Sequence, residues 1–286
     1  MRWRNACCST APARFSARWA SRSEAMSASG ATDPSKPQVL AGRRILVTRP
    51  AHQADLLCRL IEAEGGKALR LPLLSIVPAP HAGGARRLLE ASRGADAWIF
   101  TSANAVQHAR LLCPEGWPAQ LAAVGAATAA ALEAGGHPVL TPAANYSSEG
   151  LLELPQFRDV RGQRLLIVTG ERGLGVLAPA LRGRGATVEV AEVYRRVPLP
   201  YDGAHIAEAV RACHAVVITS GEALQHLLRL TPEPQRARLL GLKLVVPGAR
   251  MVEKAAELGF RTPLAPEKMT DPGIVQALAQ ALAAAH

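Results

Sequence analysis

An internal repeat with an offset of about 120 residues limits the folds that this chain can adopt. Residues 42–48 are echoed by residues 162–169, and residues 100–108 are echoed more closely by residues 218–226. In each echo a short apolar run leads into a segment with helical periodicity. Apolar runs that alternate with helices call for parallel strands covered by helices on both faces. The sequence therefore predicts an α/β fold with two doubly wound parallel-sheet domains.

Two proline-flanked segments predict how the two domains are joined. The apolar run 71–77 is followed by the sequence PAP, and residues 191–197 are followed by the sequence PLP. A buried strand cannot continue through such prolines, so both segments are interpreted as passages between two compact bodies. The predicted organisation is a discontinuous domain 1 (41–72 plus 198–286), a two-stranded ribbon (73–80 and 191–197) and a domain 2 (81–190). Sequential domains that divide near residue 160 remain the alternative.

Composition limits the class of protein. A chain of 286 residues with 49% hydrophobic and 20% charged residues is long enough for two globular domains. No apolar run approaches the roughly 18 residues that a membrane span needs, so no membrane partner is expected. Five cysteines without a C-x-x-C pair predict neither disulfides nor a metal site, and they fit a reducing, cytoplasmic compartment.

The first 40 residues differ from the rest of the chain. They are rich in Arg, Ser and Ala, and five arginines precede the first acidic residue, Glu24. We interpret residues 1–40 as a disordered leader or a wrongly assigned start, with a working targeting signal as the alternative. Without residues 1–23 the net charge falls from +10 to +5, with 28 basic against 23 acidic residues. This mild excess suits a polyanionic ligand, with a solvated arginine-rich surface as the competing interpretation. A nucleic-acid partner is not expected, because aromatic residues make up only 4% and do not interleave with a basic stripe.

Candidate binding residues follow the carboxyl ends of the predicted strands, where open α/β sheets bind their ligands. Each lies in a turn that enters a helix, and the free N–H groups of a helix start bind carboxylates or phosphates. For any single Ser or Thr, helix capping alone is the competing interpretation. The candidate substrate-binding residues are Arg49, Ser102, Gly125, Thr128, Ser148, Arg172, Ser220 and Gly248, of which Ser148 is also an expected helix N-cap.

No nucleotide cofactor is expected. The glycines at 170, 173 and 175 reverse the spacing of the dinucleotide fingerprint, and the sequence has no P-loop. Tyr194 lies on the second crossing, and we expect it to face an active cleft between the two bodies. A packing aromatic in the ribbon is the competing interpretation for Tyr194.

Five segments, taken in order and spacing, resemble the uroporphyrinogen-III synthase family across about residues 40–284. The segments are residues 46–50, 100–106, 124–129, 146–152 and 193–196. The resemblance implies a two-domain fold with a wide cleft and no cofactor. It also implies Tyr194 as the functional tyrosine, Thr128 in a glycine loop and Ser102 and Ser220 at strand ends. This sequence has Arg250 and Met251 after its second glycine loop, where some members of the family have residues with hydroxyl groups.

The resemblance further implies the substrate and the reaction. Hydroxymethylbilane, a linear tetrapyrrole with eight carboxylates, would lose water and close to uroporphyrinogen III with inversion of ring D, in haem biosynthesis. We expect an enzyme that acts as a monomer. The alternative is a non-enzymatic, two-domain clamshell binding protein for a small anionic ligand.

Overall fold

The computed structural model describes residues 38–143, 147–173 and 175–283. Its strands are β1 (Arg44–Val47), β2 (Lys67–Arg70), β3 (Leu74–Pro78), β4 (Ala97–Phe100), β5 (Leu121–Ala123), β6 (Val139–Leu140), β7 (Arg164–Gly170), β8 (Thr187–Pro198), β9 (Ala215–Val217), β10 (Lys243–Val245) and β11 (Thr262–Leu264). Its helices are α1 (Asp55–Ala63), α2 (Ala82–Ala91), α3 (Ala103–Leu112), α4 (Ala126–Glu133), α5 (Ser148–Glu153), α6 (Pro155–Arg158), α7 (Leu177–Gly183), α8 (Gly203–Ala212), α9 (Gly221–Leu230), α10 (Glu233–Gly241), α11 (Ala249–Glu257) and α12 (Asp271–Ala283).

The first sheet is parallel throughout, with the strand order β11-β10-β9-β1-β2. Helices α1 and α12 cover one face, where Leu57 and Leu278 belong to the same buried cluster as Ile45. Helices α8 to α11 cover the other face, where Leu224 packs in one cluster with Val216. Burial on both faces explains why these strands are apolar throughout rather than alternating.

The second sheet has the order β3-β8-β7-β4-β5-β6, and every pair in it is parallel except β3 with β8. Helices α2, α3 and α4 bury Trp98 and Phe100 on one face. Helices α5, α6 and α7 cover Ile99 and Ile167 on the other. Two sheets, each wound on both faces, confirm the predicted fold class.

Strand β8 continues through two different pairings. Its first half runs parallel to β7, with a register shift at Thr169 and Gly170. Its second half runs antiparallel to β3, with Tyr194 opposite Pro78 and Pro198 opposite Leu74. The two proline-flanked segments therefore pair with each other. We keep the division into domain 1, ribbon and domain 2 as a proposal; a split near residue 160 would separate β4 from its partner β7.

The amino-terminal boundary of the folded body lies before residue 40. Leu40 is fully buried in the core cluster that contains Ile45 and Leu57. The predicted leader of residues 1–40 therefore includes one residue, Leu40, that packs in the core of the first sheet. The rest of that prediction concerns residues 1–37, which lie outside the described residues.

The three cysteines among the described residues are buried and unpaired. Cys58, Cys113 and Cys213 are free and buried. Burial raises the pKa of the Cys213 thiol to about 11, and it also raises the pKa of Cys58, so both are held as neutral thiols.

Across the same described residues, no helix combines the length and apolar character of a membrane span.

Candidate active site

The carboxyl edge of the first sheet brings three predicted residues together. Val47 of β1 pairs with Val217 of β9, which pairs with Val245 of β10. Because the three strands are parallel and in register, the turns that follow them lie at one edge of the sheet. Arg49, Ser220 and Gly248 occupy these turns.

Ser220 and Gly248 begin helices in different ways. The Ser220 Oγ accepts a hydrogen bond from the Ala223 N–H at 3.2 Å and so caps α9. Gly248 begins α11 with a φ of 77°, which side-chain-bearing residues rarely adopt. Among the described residues, no atom lies within 4 Å of the position that a Gly248 Cβ would take. The start of α11 is therefore open to a ligand.

Arg49 is engaged within the protein. Its guanidinium forms an ion pair with Asp271, the first residue of α12, and the two side chains are only 13% and 14% exposed. The carboxylate also lies at a helix start, where a negative charge is stabilised by the helix dipole. In this structure Arg49 joins α12 to the rim and does not present an unpaired charge.

The carboxyl edge of the second sheet carries Ser102 after β4 and Gly125 after β5. The Ser102 Oγ accepts from the Ala105 N–H at 3.2 Å and caps α3, as Ser220 caps α9 in the other half of the repeat. Gly125 begins α4, and no atom of the described ranges lies within 4 Å of its Cβ position. Thr128 lies in α4 but is only 4% exposed, so its hydroxyl is not displayed at the rim.

Two further candidates differ from their predicted roles. The residue that caps α5 is Ser147, whose Oγ accepts from the Gly150 N–H at 3.1 Å. Ser148 is the first helical residue, so the prediction of Ser148 as N-cap is wrong by one position. Arg172 is exposed with a φ of 62°, and its backbone N–H donates to the Glu192 carboxylate at 3.0 Å.

The two carboxyl edges meet at Asn104, in the first turn of α3. Gln53, in a 3-10 turn that follows β1, donates from its Nε2 to the Asn104 Oδ1 at 2.7 Å. The His52 Nε2 lies 3.4 Å from the same oxygen. The rim that carries Arg49 therefore touches the rim that carries Ser102.

Tyr194 is packed against the second rim. Its hydroxyl lies 3.0 Å from the Ser102 Oγ, and its ring stacks on His108 of α3 with 5.6 Å between centroids. A Cβ on Gly170 would lie 2.5 Å from the Tyr194 Cζ, so the absence of a side chain at 170 makes room for the ring. Tyr194 is 4% exposed. In this structure α3 and β7 enclose Tyr194, and that it faces an active cleft between the two bodies stays a prediction.

His108, Asn104 and Gln53 were not selected as site residues from the sequence. A signal for His108 was present, since the repeat places His226 at the equivalent position, six residues after the capping serine. Burial lowers the pKa of His108, and repulsion from His52 lowers it further, so this imidazole favours its neutral form.

The site offers backbone N–H groups at helix starts, hydroxyls and a neutral imidazole. The described residues contain no group of three or more His, Cys, Asp or Glu side chains that could hold a metal ion. Open helix starts at Gly125 and Gly248, on rims that touch, suit a ligand with several separate carboxylates.

A family model described as "Uroporphyrinogen-III synthase HemD" matches residues 55–276, most of the chain. The chain belongs to the uroporphyrinogen-III synthase family. Uroporphyrinogen-III synthase of Escherichia coli K12 is 32% identical over 243 residues, which cover 82% of this chain and 99% of that protein. The putative uroporphyrinogen-III synthase of Methanothermobacter thermautotrophicus is 30% identical over 249 residues, with coverage of 82% and 96%.

Solved structures of the family share the fold. A mutant uroporphyrinogen III synthase from Thermus thermophilus gives a TM-score of 0.58 at 21% identity, covering 85% of this chain and 99% of that one. The uroporphyrinogen-III synthetase of Helicobacter pylori 26695 gives 0.51 at 16% identity, covering 84% and 99%. The predicted resemblance to uroporphyrinogen-III synthase is confirmed.

Proposed function

We propose that this chain cyclises hydroxymethylbilane to uroporphyrinogen III, with loss of water and inversion of ring D, in haem biosynthesis. The observation that carries this proposal is membership of the uroporphyrinogen-III synthase family over nearly the full length of the curated relatives. The alternative of a non-enzymatic clamshell receptor is not favoured, because the matching relatives are named as synthases.

The chemistry demands little from side chains. The pyrrole nitrogen next to the hydroxymethyl group drives the C–O bond to break, so the protein must supply one proton to the departing oxygen. Closure of the ring releases one proton, which restores the donor, and the net loss is one water. The larger task is to hold both ends of the flexible chain together, and such positioning is worth several kcal/mol.

We assign substrate binding to the two rims and proton donation to Tyr194. The helix starts at Gly125 and Gly248 have open space above them, and their N–H groups suit substrate carboxylates. Ser102 and Ser220 shape the helix starts beside them. The Tyr194 hydroxyl oxygen lies 3.0 Å from the Ser102 Oγ, which places it beside the rim.

Proton donation by Tyr194 requires a change of arrangement. At 4% exposure the phenol cannot reach a bulky tetrapyrrole in this structure. The rims touch through Gln53 and Asn104, and we propose that the substrate separates these contacts when it enters. Opening of the rim would then give the Tyr194 hydroxyl access to the substrate.

We also propose that the protein acts in the cytoplasm as a monomer, on a small-molecule substrate and without nucleic acid or cofactor. The free, buried thiols of Cys58, Cys113 and Cys213 suit a reducing compartment. Size-exclusion chromatography with light scattering measures the mass of the protein in solution. A mass of two chains at micromolar concentration would rule out the monomer.

The reaction is tested with hydroxymethylbilane generated enzymatically in the same tube, followed by separation of the uroporphyrin isomers after oxidation. The proposal predicts isomer III in excess over the uninverted isomer I, which forms spontaneously. Isomer I alone, at the rate of a protein-free control, would refute it.

A further inference from the structure

The phenol ring of Tyr194 is held at three points, and two of them come from α3 and the serine that caps it. Ser102 lies 3.0 Å from the hydroxyl, and the face of the ring lies on His108 at a centroid separation of 5.6 Å and an interplanar angle of 28°. This separation lies within the roughly 4.5–7 Å of favourable aromatic pairs. Gly170 of β7 leaves space for the tip of the ring.

We infer that His108 is a positioning residue for the cyclisation, which fixes the phenol of Tyr194 so that its hydroxyl meets Ser102. This inference rests on the proposed function of Tyr194 as proton donor. The contact of His108 is with the face of the ring, so its effect on the hydroxyl passes through the orientation of the ring.

The repeat supports a specific use of this histidine. His226 occupies the equivalent position on α9 and is buried, and its Nε2 lies 2.9 Å from the backbone oxygen of Leu199. Leu199 follows Tyr194 by five residues and lies one residue beyond the end of β8. Each half of the repeat thus places a histidine against β8 or the residue that follows it, and His108 is the one of the two that contacts an aromatic ring with a proton-donating group.

The protonation state of His108 suits a stacking role. Burial and the neighbouring His52 lower its pKa, so the ring is neutral near pH 7 and packs on the phenol without placing a positive charge there. A neutral ring can be replaced by a phenyl group with little change in shape. The pair of substitutions His108→Ala and His108→Phe therefore separates stacking from polar chemistry.

Kinetics and isomer analysis form the first arm of the test. We expect His108→Ala to lower kcat on the order of 10-fold to 100-fold, the scale associated with a misplaced catalytic group, and to raise the share of the uninverted isomer. KM should change much less. His108→Phe should recover most of kcat. In a Tyr194→Phe background His108→Ala should add little further loss, because both changes act through one hydroxyl.

Fluorine NMR forms the second arm and does not depend on activity. The chain has three tyrosines, so 3-fluorotyrosine labelling gives three signals that single Tyr→Phe changes assign. His108→Ala should move and broaden only the Tyr194 signal. The matched control is His205→Ala, which removes a similar stack on Tyr201 at 5.4 Å and should move only the Tyr201 signal, with activity unchanged.

Each outcome decides the matter. A folded His108→Ala protein with wild-type kcat and isomer ratio would overturn the inference. A His108→Phe protein that is as impaired as His108→Ala would also overturn it, because the reaction would then depend on the imidazole nitrogens and not on stacking. A His108→Ala defect that persists undiminished on top of Tyr194→Phe also overturns it. If the wild-type protein forms no isomer III, the proposed function fails instead, and the NMR arm still reports whether His108 holds Tyr194.

Discussion

The side-chain amide of Gln53 donates a hydrogen bond to the amide oxygen of Asn104, with 2.7 Å between the two atoms. Gln53 follows β1 of the first sheet and Asn104 lies in the first turn of α3, which packs on the second, so this contact ties the two rims together. This neutral hydrogen bond is only partly buried and is worth about 1 kcal/mol, and the His52 Nε2 adds a longer contact of 3.4 Å to the same oxygen. A hydrogen bond of this strength favours contact between the two rims but still allows them to separate.

Asn104→Ala should therefore shift the protein toward a more open arrangement. We expect a larger radius of gyration by small-angle scattering and a loss of unfolding free energy of about 1 kcal/mol or less. The control is Gln107→Ala, an exposed position on the same helix. Equal scattering profiles for Asn104→Ala and the wild type, with and without a product analogue, would show that this contact does not limit opening.

The two capping serines offer a matched comparison. Ser102 and Ser220 cap their helices through hydrogen bonds of the same length, 3.2 Å. Each change to Ala should cost about 1 kcal/mol of unfolding free energy, as expected for a lost cap. Ser102 also meets the Tyr194 hydroxyl, so Ser102→Ala should lower turnover more than Ser220→Ala does. Equal turnover and equal stability in the two variants would show that the contact between Ser102 and the Tyr194 hydroxyl does not contribute to turnover.

Gly170→Ala should displace Tyr194. The new Cβ would lie 2.5 Å from the Tyr194 Cζ and 2.8 Å from its Cε2, closer than atoms in contact can come. We expect a loss of about 1–3 kcal/mol, typical of overpacking, together with lower turnover. Denaturant unfolding and kinetics on one sample check this. Gly84→Ala is the control, because within the part of the chain that the structure describes no atom lies within 4 Å of its Cβ position. A Gly170→Ala protein with normal stability and turnover would mean that the ring can shift freely.

The fold could be predicted because its signals are local. Apolar runs such as that of β7, and capping serines at equal places in the repeat, are visible in the sequence and behave as expected in the structure. The choice of cap at α5 could not be predicted, because Ser147 and Ser148 are adjacent and chemically identical. Only the extended backbone at Ser147, with φ −140° and ψ 170°, decides between them.

The state of the site residues depends on contacts between distant parts of the chain. Tyr194 is enclosed by Gly170 and by His108, which lies 86 positions earlier in the sequence. Arg49 is paired with Asp271 from the last helix. Strand-end position therefore predicted which residues reach the rim, whereas pairing and burial decided which of them are available to a ligand.

Stability should fall in mild acid because of His214. Burial is the largest cause of its lowered pKa, and the positive charges of Arg44, Arg43 and Arg238 lower the pKa further. The Nδ1 of His214 accepts a hydrogen bond from the Arg44 N–H at 3.0 Å. The unfolded imidazole has a pKa near 6.5, so below about pH 6.5 the unfolded state binds more protons than the folded state. The contribution of His214 is therefore fully present above that pH and is lost as the pH falls from there through the lower pKa of the folded state.

Urea unfolding at several pH values from 7.5 to 5 checks this expectation. His214→Asn should lose less unfolding free energy than the wild type over this range. His205→Asn, at an exposed position, controls for the removal of an imidazole. The same pH dependence in His214→Asn as in the wild type would contradict the assignment.

Tyr194→Phe gives the sharpest test of the chemistry. The change removes one oxygen and keeps the ring, so the stack on His108 and the fit against Gly170 should survive. Loss of the hydrogen bond with Ser102 should cost only about 1 kcal/mol of unfolding free energy. If the hydroxyl protonates the departing oxygen, turnover should fall by roughly 10² to 10⁴, the range of general acid catalysis.

The isomer ratio then separates catalysis from binding. Substrate that leaves a slowed enzyme closes spontaneously, so product should shift from the inverted to the uninverted isomer while thermal unfolding of the same sample stays near that of the wild type. A lost proton donor should lower kcat with little change in KM, whereas lost binding would raise KM. A folded Tyr194→Phe protein with wild-type rate and ratio would remove the hydroxyl from the mechanism. Catalysis would then rest on positioning, which we propose for the helix starts at Gly125 and Gly248, where the two ends of the tetrapyrrole would be held within reach of each other.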